Sequence, residues 1–262
     1  KPILNEKKIT KNTIFVIEAS SYQIEYSKNF RTNYALILNI TPDHLERHVT
    51  FLNYIRAKFK LIKNQTKKDF YFLDCNNNYL KKEIKKTDIK SNLINVQIKS
   101  FKKEIAKINN SYFLTDGNRQ NLTFIFAIAK KLKLKKKILF ETIEKFKGLK
   151  FRQQIIHQTN KITIINDSKS TSYSSSVNIL KSLKRVYWII GGIPKNGDKF
   201  LISKKNCKNF RGYIFGKYKN HFIKGLNNKL NYQTFNELDE TIKKIILDIK
   251  FKKKKNHKTI LF

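Results

Sequence analysis

Six short runs in this chain are apolar almost from end to end instead of alternating: TIFVIE (13–18), YALILNI (34–40), KITIIND (161–167), RVYWIIGG (185–192), GYIFG (212–216) and TILF (259–262). A strand with one wet face alternates apolar and polar residues. Continuous runs therefore belong to central strands covered on both sides, as in parallel sheets. Stretches with helical spacing lie between them. Residues 50–62 form one, and 118–134 carries apolar residues at 122, 125, 126, 128, 129 and 132 with an Asn at its start as cap. Residues 174–183 and 237–249 repeat the pattern. The class is α/β. Gly148, in EKFKGLK, ends a helix before a new series of strands, so one α/β domain is expected over 1–148 and a second over 149–262.

The 262 residues suffice for one large or two ordinary domains. Lys and Arg number 56 against 19 acidic residues, a formal charge of +37, so a basic nucleic-acid-binding module is the competing class. The lysines are scattered through loops and helix ends. Lys, Asn, Ile and Phe are enriched together, as an AT-rich genome does to every protein it encodes. No homeodomain, zinc-finger, RNP or KH pattern accompanies them, and specific nucleic-acid binding is not expected. No run approaches the roughly 20 apolar residues of a membrane-spanning helix. Cys75 and Cys207 lie far apart without Cys or His partners at metal spacing, which suits reduced thiols in a cytoplasmic protein. The sequence begins at Lys1, contains no Met and is read as a piece of a longer chain.

Polar residues cluster where the apolar runs end. Glu18 closes the first run, Thr41 to His44 follow the second, Asp167 to Thr171 follow the third, and Ile193 to Lys195 follow the fourth. Ligands of open parallel sheets bind at the carboxyl ends of strands. Glu18 and His44 offer an oxygen and a nitrogen suited to a hard divalent cation such as magnesium or manganese. Lys58 is unusual among the lysines. On a helix over 50–62 its neighbours one turn away are Tyr54, Ile55, Leu61 and Ile62, whereas Lys60 has Arg56, Ala57, Lys63 and Asn64. Lys60 is expected in solvent and Lys58 partly buried. A desolvated amine loses its proton more readily and can take up carbon dioxide as a carbamate. The alternative is a packed stem with its ammonium in water.

The strings IEASSYQIEYS, LILNITPDHLERH, YIRAKFKLI, FKGLKFRQQ, INDSKSTS and GGIPKNGDKF occur in an order and spacing that resemble the Mur ligase family. Within it the chain most resembles the branch that adds D-glutamate to UDP-N-acetylmuramoyl-L-alanine. Ser20 to Glu25 (Ser-Ser-aromatic-Gln-aliphatic-Glu) distinguishes that branch from sister ligases and from folylpolyglutamate synthase, the alternatives within the superfamily. The resemblance implies an incomplete P-loop-type central ATPase domain followed by a Rossmann-like C-terminal domain, both with parallel sheets. It implies ATP and magnesium or manganese, with Glu18 and His44 on the metal and a carbamylated Lys58 beside them. Asn118 and Asn121 would lie near the nucleotide base, Arg152 at the phosphates and Asp167 at the ribose. Lys169, Thr171 and Lys195 would orient D-glutamate and the reacting phosphate, and Ser20 and Gln23 would face the UDP-sugar. Gly117 stands where the family usually has His, a departure at the adenine contact. The implied reaction is a two-step amide ligation through an acyl phosphate, carried out by a cytoplasmic monomer. No G-x-x-x-x-G-K-[ST] loop is present, nor the family's UDP-binding N-terminal domain or its closing Ser-Pro loop. The piece alone is therefore expected not to turn over ATP.

Charge of this size predicts adhesion to any polyanion at low salt. Retention on immobilised duplex DNA should fall steeply as sodium chloride rises toward about 0.2 M, whatever the DNA sequence. Sequence-selective retention at that salt would contradict this reading.

Overall fold

The computed structural model describes residues 6–40, 45–195, 198–251 and 256–262. The first elements are α1 (Ser21–Tyr26), β1 (Tyr34–Ile37), α2 (Leu45–His48), α3 (Phe51–Lys63), β2 (Phe70–Leu73), α4 (Asn78–Lys86) and β3 (Asn92–Asn95). Next come α5 (Lys102–Ile105), α6 (Asp116–Lys131), α7 (Lys136–Lys145), β4 (Gln154–Gln158), β5 (Ile162–Asn166) and α8 (Tyr173–Ser182). The last are β6 (Val186–Ile190), β7 (Phe210–Phe215), α9 (Lys219–Leu226), β8 (Asn231–Phe235), α10 (Leu238–Phe251) and β9 (Lys258–Leu261). They fall into two compact units, Lys1–Val96 and Gln97–Phe262. Gly148, the boundary expected from the sequence, lies inside the second unit, where α6 packs on α8.

In the first unit β1, β2 and β3 form a parallel sheet in that order. Thr50 starts α3 by accepting a hydrogen bond from the Asn53 N–H at 3.1 Å. The helix buries Ile55, Phe59 and Ile62 against Ala35, Ile37, Tyr71, Leu73 and Leu80. Asp69 secures the start of β2. Its carboxylate, 1% exposed, accepts from Arg31 Nε at 3.0 Å, Thr66 N at 2.7 Å, Thr66 Oγ1 at 2.9 Å and Asn33 Nδ2 at 3.3 Å. The Arg31 guanidinium in particular holds its pKa down at about 2.

In the second unit a six-stranded sheet runs β4-β5-β9-β6-β7-β8, and β9, last in sequence, sits near its centre. All pairs are parallel except β4 with β5. The strand β6 is buried along its whole length. Val186, Trp188 and Ile190 enter one core with Ile179, Leu180 and Phe200, while Tyr187 and Ile189 enter another with Tyr213 and Ile245. That is the two-faced burial which a continuous apolar run implies. A third cluster joins α6 to α7 through Leu122, Phe126 and Ile143.

Three sequence expectations need correction. The run 13–18 has no regular structure, and Ile14 and Val16 are 78% and 96% exposed. An isolated apolar segment gains strand geometry only from a neighbour's hydrogen bonds, and among the described residues no strand pairs with it. The helix expected to start at Asn118 starts at Asp116, with Thr115 as its cap, because Thr115 has extended backbone and its hydroxyl accepts from the Asn118 N–H at 3.4 Å. The second sheet is mixed, since β4 reaches β5 through a tight connection that permits only antiparallel pairing.

Leu180 is fully buried beside Trp188, the chain's single tryptophan. Leu180→Ala should cost about 2–5 kcal/mol, read from Trp188 fluorescence in urea. Stability from Asp69 is complete above the ordinary carboxylate range, near pH 4, and is lost as pH falls toward about 2. Asp69→Asn should therefore destabilise the first unit by about 1–3 kcal/mol at neutral pH and flatten its acid-unfolding profile over that window, as followed by circular dichroism.

Candidate nucleotide-binding site

Within the second unit the start of α6, the turn before β4 and the end of β5 meet in one chain of hydrogen bonds. Asn118, 6% exposed, donates through Nδ2 to the Tyr112 carbonyl at 2.6 Å and to Gln153 Oε1 at 3.1 Å. Thr115 Oγ1 donates to the same Gln153 oxygen at 2.9 Å. The Gln153 backbone N–H donates to Asp167 Oδ1 at 2.9 Å, and Ser170 Oγ donates to Asp167 Oδ2 at 2.7 Å. Asp167 is buried, and desolvation raises its pKa against the opposing pull of these donors and of Arg152. Burial likewise raises the Tyr112 phenol, with Arg152 opposing it and Asp167 reinforcing it.

Arg152 is exposed on a turn of unusual backbone. Phe151 and Gln153 on either side of it have φ of 64° and 49°, the left-handed region that side chains other than glycine seldom adopt. The turn is tied down by the Lys169 N–H on the Phe151 carbonyl at 3.0 Å and by the Gln153 bond to Asp167. The expected site residues Asn118, Arg152, Asp167 and Lys169 thus belong to one connected set. Asn121 lies one turn along α6 from Asn118 and is half-buried.

Thr171 and Lys195 are both exposed, and the segments carrying them are joined by a residue that the sequence did not reveal. The Asp198 carboxylate accepts from the Tyr173 N–H and from the Ser174 N–H, the latter at 3.3 Å, at the start of α8. The Asp198 N–H returns to the Lys195 carbonyl at 3.4 Å. A carboxylate there complements the positive end of the helix. Its only sequence sign is that α8 has no acid of its own in its first turn.

In the first unit Ser20 and Gln23 form a capping box. Gln23 Oε1 accepts from Ser20 N at 2.9 Å and Ser20 Oγ accepts from Gln23 N at 3.3 Å. Lys58 is half-buried and Lys60 exposed, as their neighbours imply. The Lys58 ammonium lies 5.1 Å from the centre of the Tyr54 ring. The Tyr54 ring also packs against His48, a buried histidine whose Nε2 is 3.0 Å from Ser21 Oγ. Nothing in the spacing distinguished His48 from a surface residue. Glu18 is exposed on the irregular segment, and His44 lies outside the described residues. Among the described residues no three His, Cys, Asp or Glu side chains cluster closely enough to hold a metal ion. No helix there is long and apolar enough to cross a membrane.

The profile of the Mur ligase middle domain matches residues 3–139. The UDP-N-acetylmuramoylalanine–D-glutamate ligase of Rickettsia felis is 32% identical over 243 residues, covering 86% of this chain and 54% of that protein. The ligase of the same name from Alkaliphilus oremlandii is 30% identical over 253 residues, covering 90% and 53%. The chain spans about half the length of these curated relatives. Among solved structures, the MurF ligase of Thermotoga maritima in complex with ADP aligns with a TM-score of 0.61 at 13% identity, covering 87% of this chain and 58% of that one. MurC from the same organism aligns at 0.56 and 15%, covering 93% and 57%. At such identities these two structures speak for the fold alone. With its middle-domain profile matching just over half of the residues, the chain belongs to the Mur ligase family.

Proposed function

We propose that this chain is the central and C-terminal part of MurD, the ligase that joins D-glutamate to UDP-N-acetylmuramoyl-L-alanine, working as a cytoplasmic monomer. The observation that carries the reading is 32% identity over 243 residues to a UDP-N-acetylmuramoylalanine–D-glutamate ligase. On this reading residues 1–148 are the central domain and 149–262 the C-terminal one.

The γ-phosphoryl group of ATP passes to the substrate carboxylate, giving an acyl phosphate and ADP. The D-glutamate amine then attacks the acyl carbon and expels inorganic phosphate. Asn118 and Asn121 meet the base, Asp167 accepts from the ribose hydroxyls, and Arg152 faces the phosphates, where a fixed cation offsets developing charge. Lys169, Thr171 and Lys195 hold the incoming amino acid and the reacting phosphate. Ser20 and Gln23 lie toward the UDP-sugar. Glu18, His44 and Lys58, the last as its carbamate, would hold magnesium or manganese, which when bound would supply positive charge against that of the transferred phosphoryl group. The half-buried Lys58 amine among apolar neighbours supports that role.

The full-length protein should release phosphate from ATP only when UDP-N-acetylmuramoyl-L-alanine and D-glutamate are both present. Equal release with L-lysine or another amino acid would refute the assignment. Asp167→Asn should raise the KM for ATP about tenfold while leaving the KM for D-glutamate near its starting value.

A further inference from the structure

Thr171 and Lys195 lie on separate exposed segments, the first just before α8 and the second after β6, and neither belongs to a helix or strand. The Lys195 segment is anchored at both ends. Upstream, β6 is buried along its length; downstream, Phe200 is 1% exposed and packs on the Tyr173 and Trp188 rings at 5.6 and 5.7 Å. Asp198 pins the span between these anchors. Its Oδ2 accepts from the Tyr173 N–H, its Oδ1 accepts from the Ser174 N–H at 3.3 Å, and its own N–H donates to the Lys195 carbonyl at 3.4 Å. The start of α8 is already closed by its own residues. Ser172 Oγ accepts from the Ser175 N–H, and Ser175 Oγ accepts from the Ser172 N–H, each at 3.2 Å. What Asp198 adds is therefore a tie between two segments far apart in sequence.

We propose that Asp198 is a positioning residue for the incoming amino acid: it fixes the spacing between Lys195 and Thr171 and so sets the affinity for D-glutamate without touching it. The assignment rests on the proposed placement of D-glutamate at those two residues. A small ligand gripped from two segments binds well only when their spacing is set before it arrives, because otherwise the cost of ordering them is taken from its binding. A carboxylate suits the task. Its two oxygens take two adjacent N–H groups at once, and its charge complements the positive end of α8.

The test uses the full-length protein and compares the KM for D-glutamate with the KM for ATP. Asp198→Ala should raise the first about tenfold and leave the second within about twofold of its starting value. Asp198→Asn keeps one acceptor oxygen and should raise the KM for D-glutamate about threefold, and it replaces Asp198→Ala if that variant fails to fold. Ser172→Ala is the control. It removes a cap of the same helix but no tie to the Lys195 segment, so it should lower the melting temperature and keep both KM values. An unchanged KM for D-glutamate in the Asp198 variants, or an equal rise in both KM values, overturns the assignment. So does a rise in Ser172→Ala that matches that of Asp198→Ala, since helix stability alone would then explain the effect. Wild-type protein that does not use D-glutamate overturns the proposed ligase reading, and this assignment with it.

Discussion

Burial of β6 on both faces is the constraint from which the rest of the second unit follows. Trp188 and its even-numbered neighbours need one apolar layer, and Tyr187 and Ile189 need another. Only a strand between β9 and β7, with helices on each side, meets both requirements. Because β5, β9 and β6 run parallel, their carboxyl ends share one edge of the sheet. Asp167, Phe262 and Gly191 arrive there together, and the Asp167 N–H donates to the Phe262 carbonyl. The sheet thus gathers backbone and carboxylate at its carboxyl edge, the edge at which open parallel sheets in general bind their ligands.

Polar chemistry at that edge obeys a second rule, that a buried polar group must find a partner. Asn118, Gln153 and Asp167 satisfy one another across three segments far apart in sequence. The arrangement costs something at Phe151 and Gln153, which are held in left-handed backbone. It leaves Asp167 with its charged form disfavoured by burial, so an ionised Asp167 gains from any donor that approaches it. The same turn presents Arg152 to solvent.

The first unit shows how a helix face packs a lysine. The positions at 54, 55, 58 and 62 share one side of α3, and the aromatic ring at 54 supplies a surface over which the Lys58 cation rests. His48, from α2, packs on that ring and is itself held by Ser21, from α1. Asp69 does for the sheet what Tyr54 does for the lysine: it gathers donors from Arg31, Asn33 and Thr66 and so aligns the starts of β1 and β2.

Local pattern identified the α/β class, five of the six apolar runs as strands, the helices at 51–63, 116–131, 173–182 and 238–251, and the partial burial of Lys58. Each of these depends on residues within a turn or two of one another, and periodicity records that scale directly. The candidate residues Asn118, Arg152, Asp167 and Lys169 were legible as motifs, but their connection through Gln153 was not, because that residue's partners are 14 to 38 positions away. The run at 13–18 reads like its fellows yet forms no strand, since strand geometry is conferred by a neighbour and not by composition. The central place of β9, the antiparallel β4 and the capping of α8 by Asp198 were likewise settled by folding. Hydrogen bonds between distant segments exist only once the apolar layers have brought those segments together.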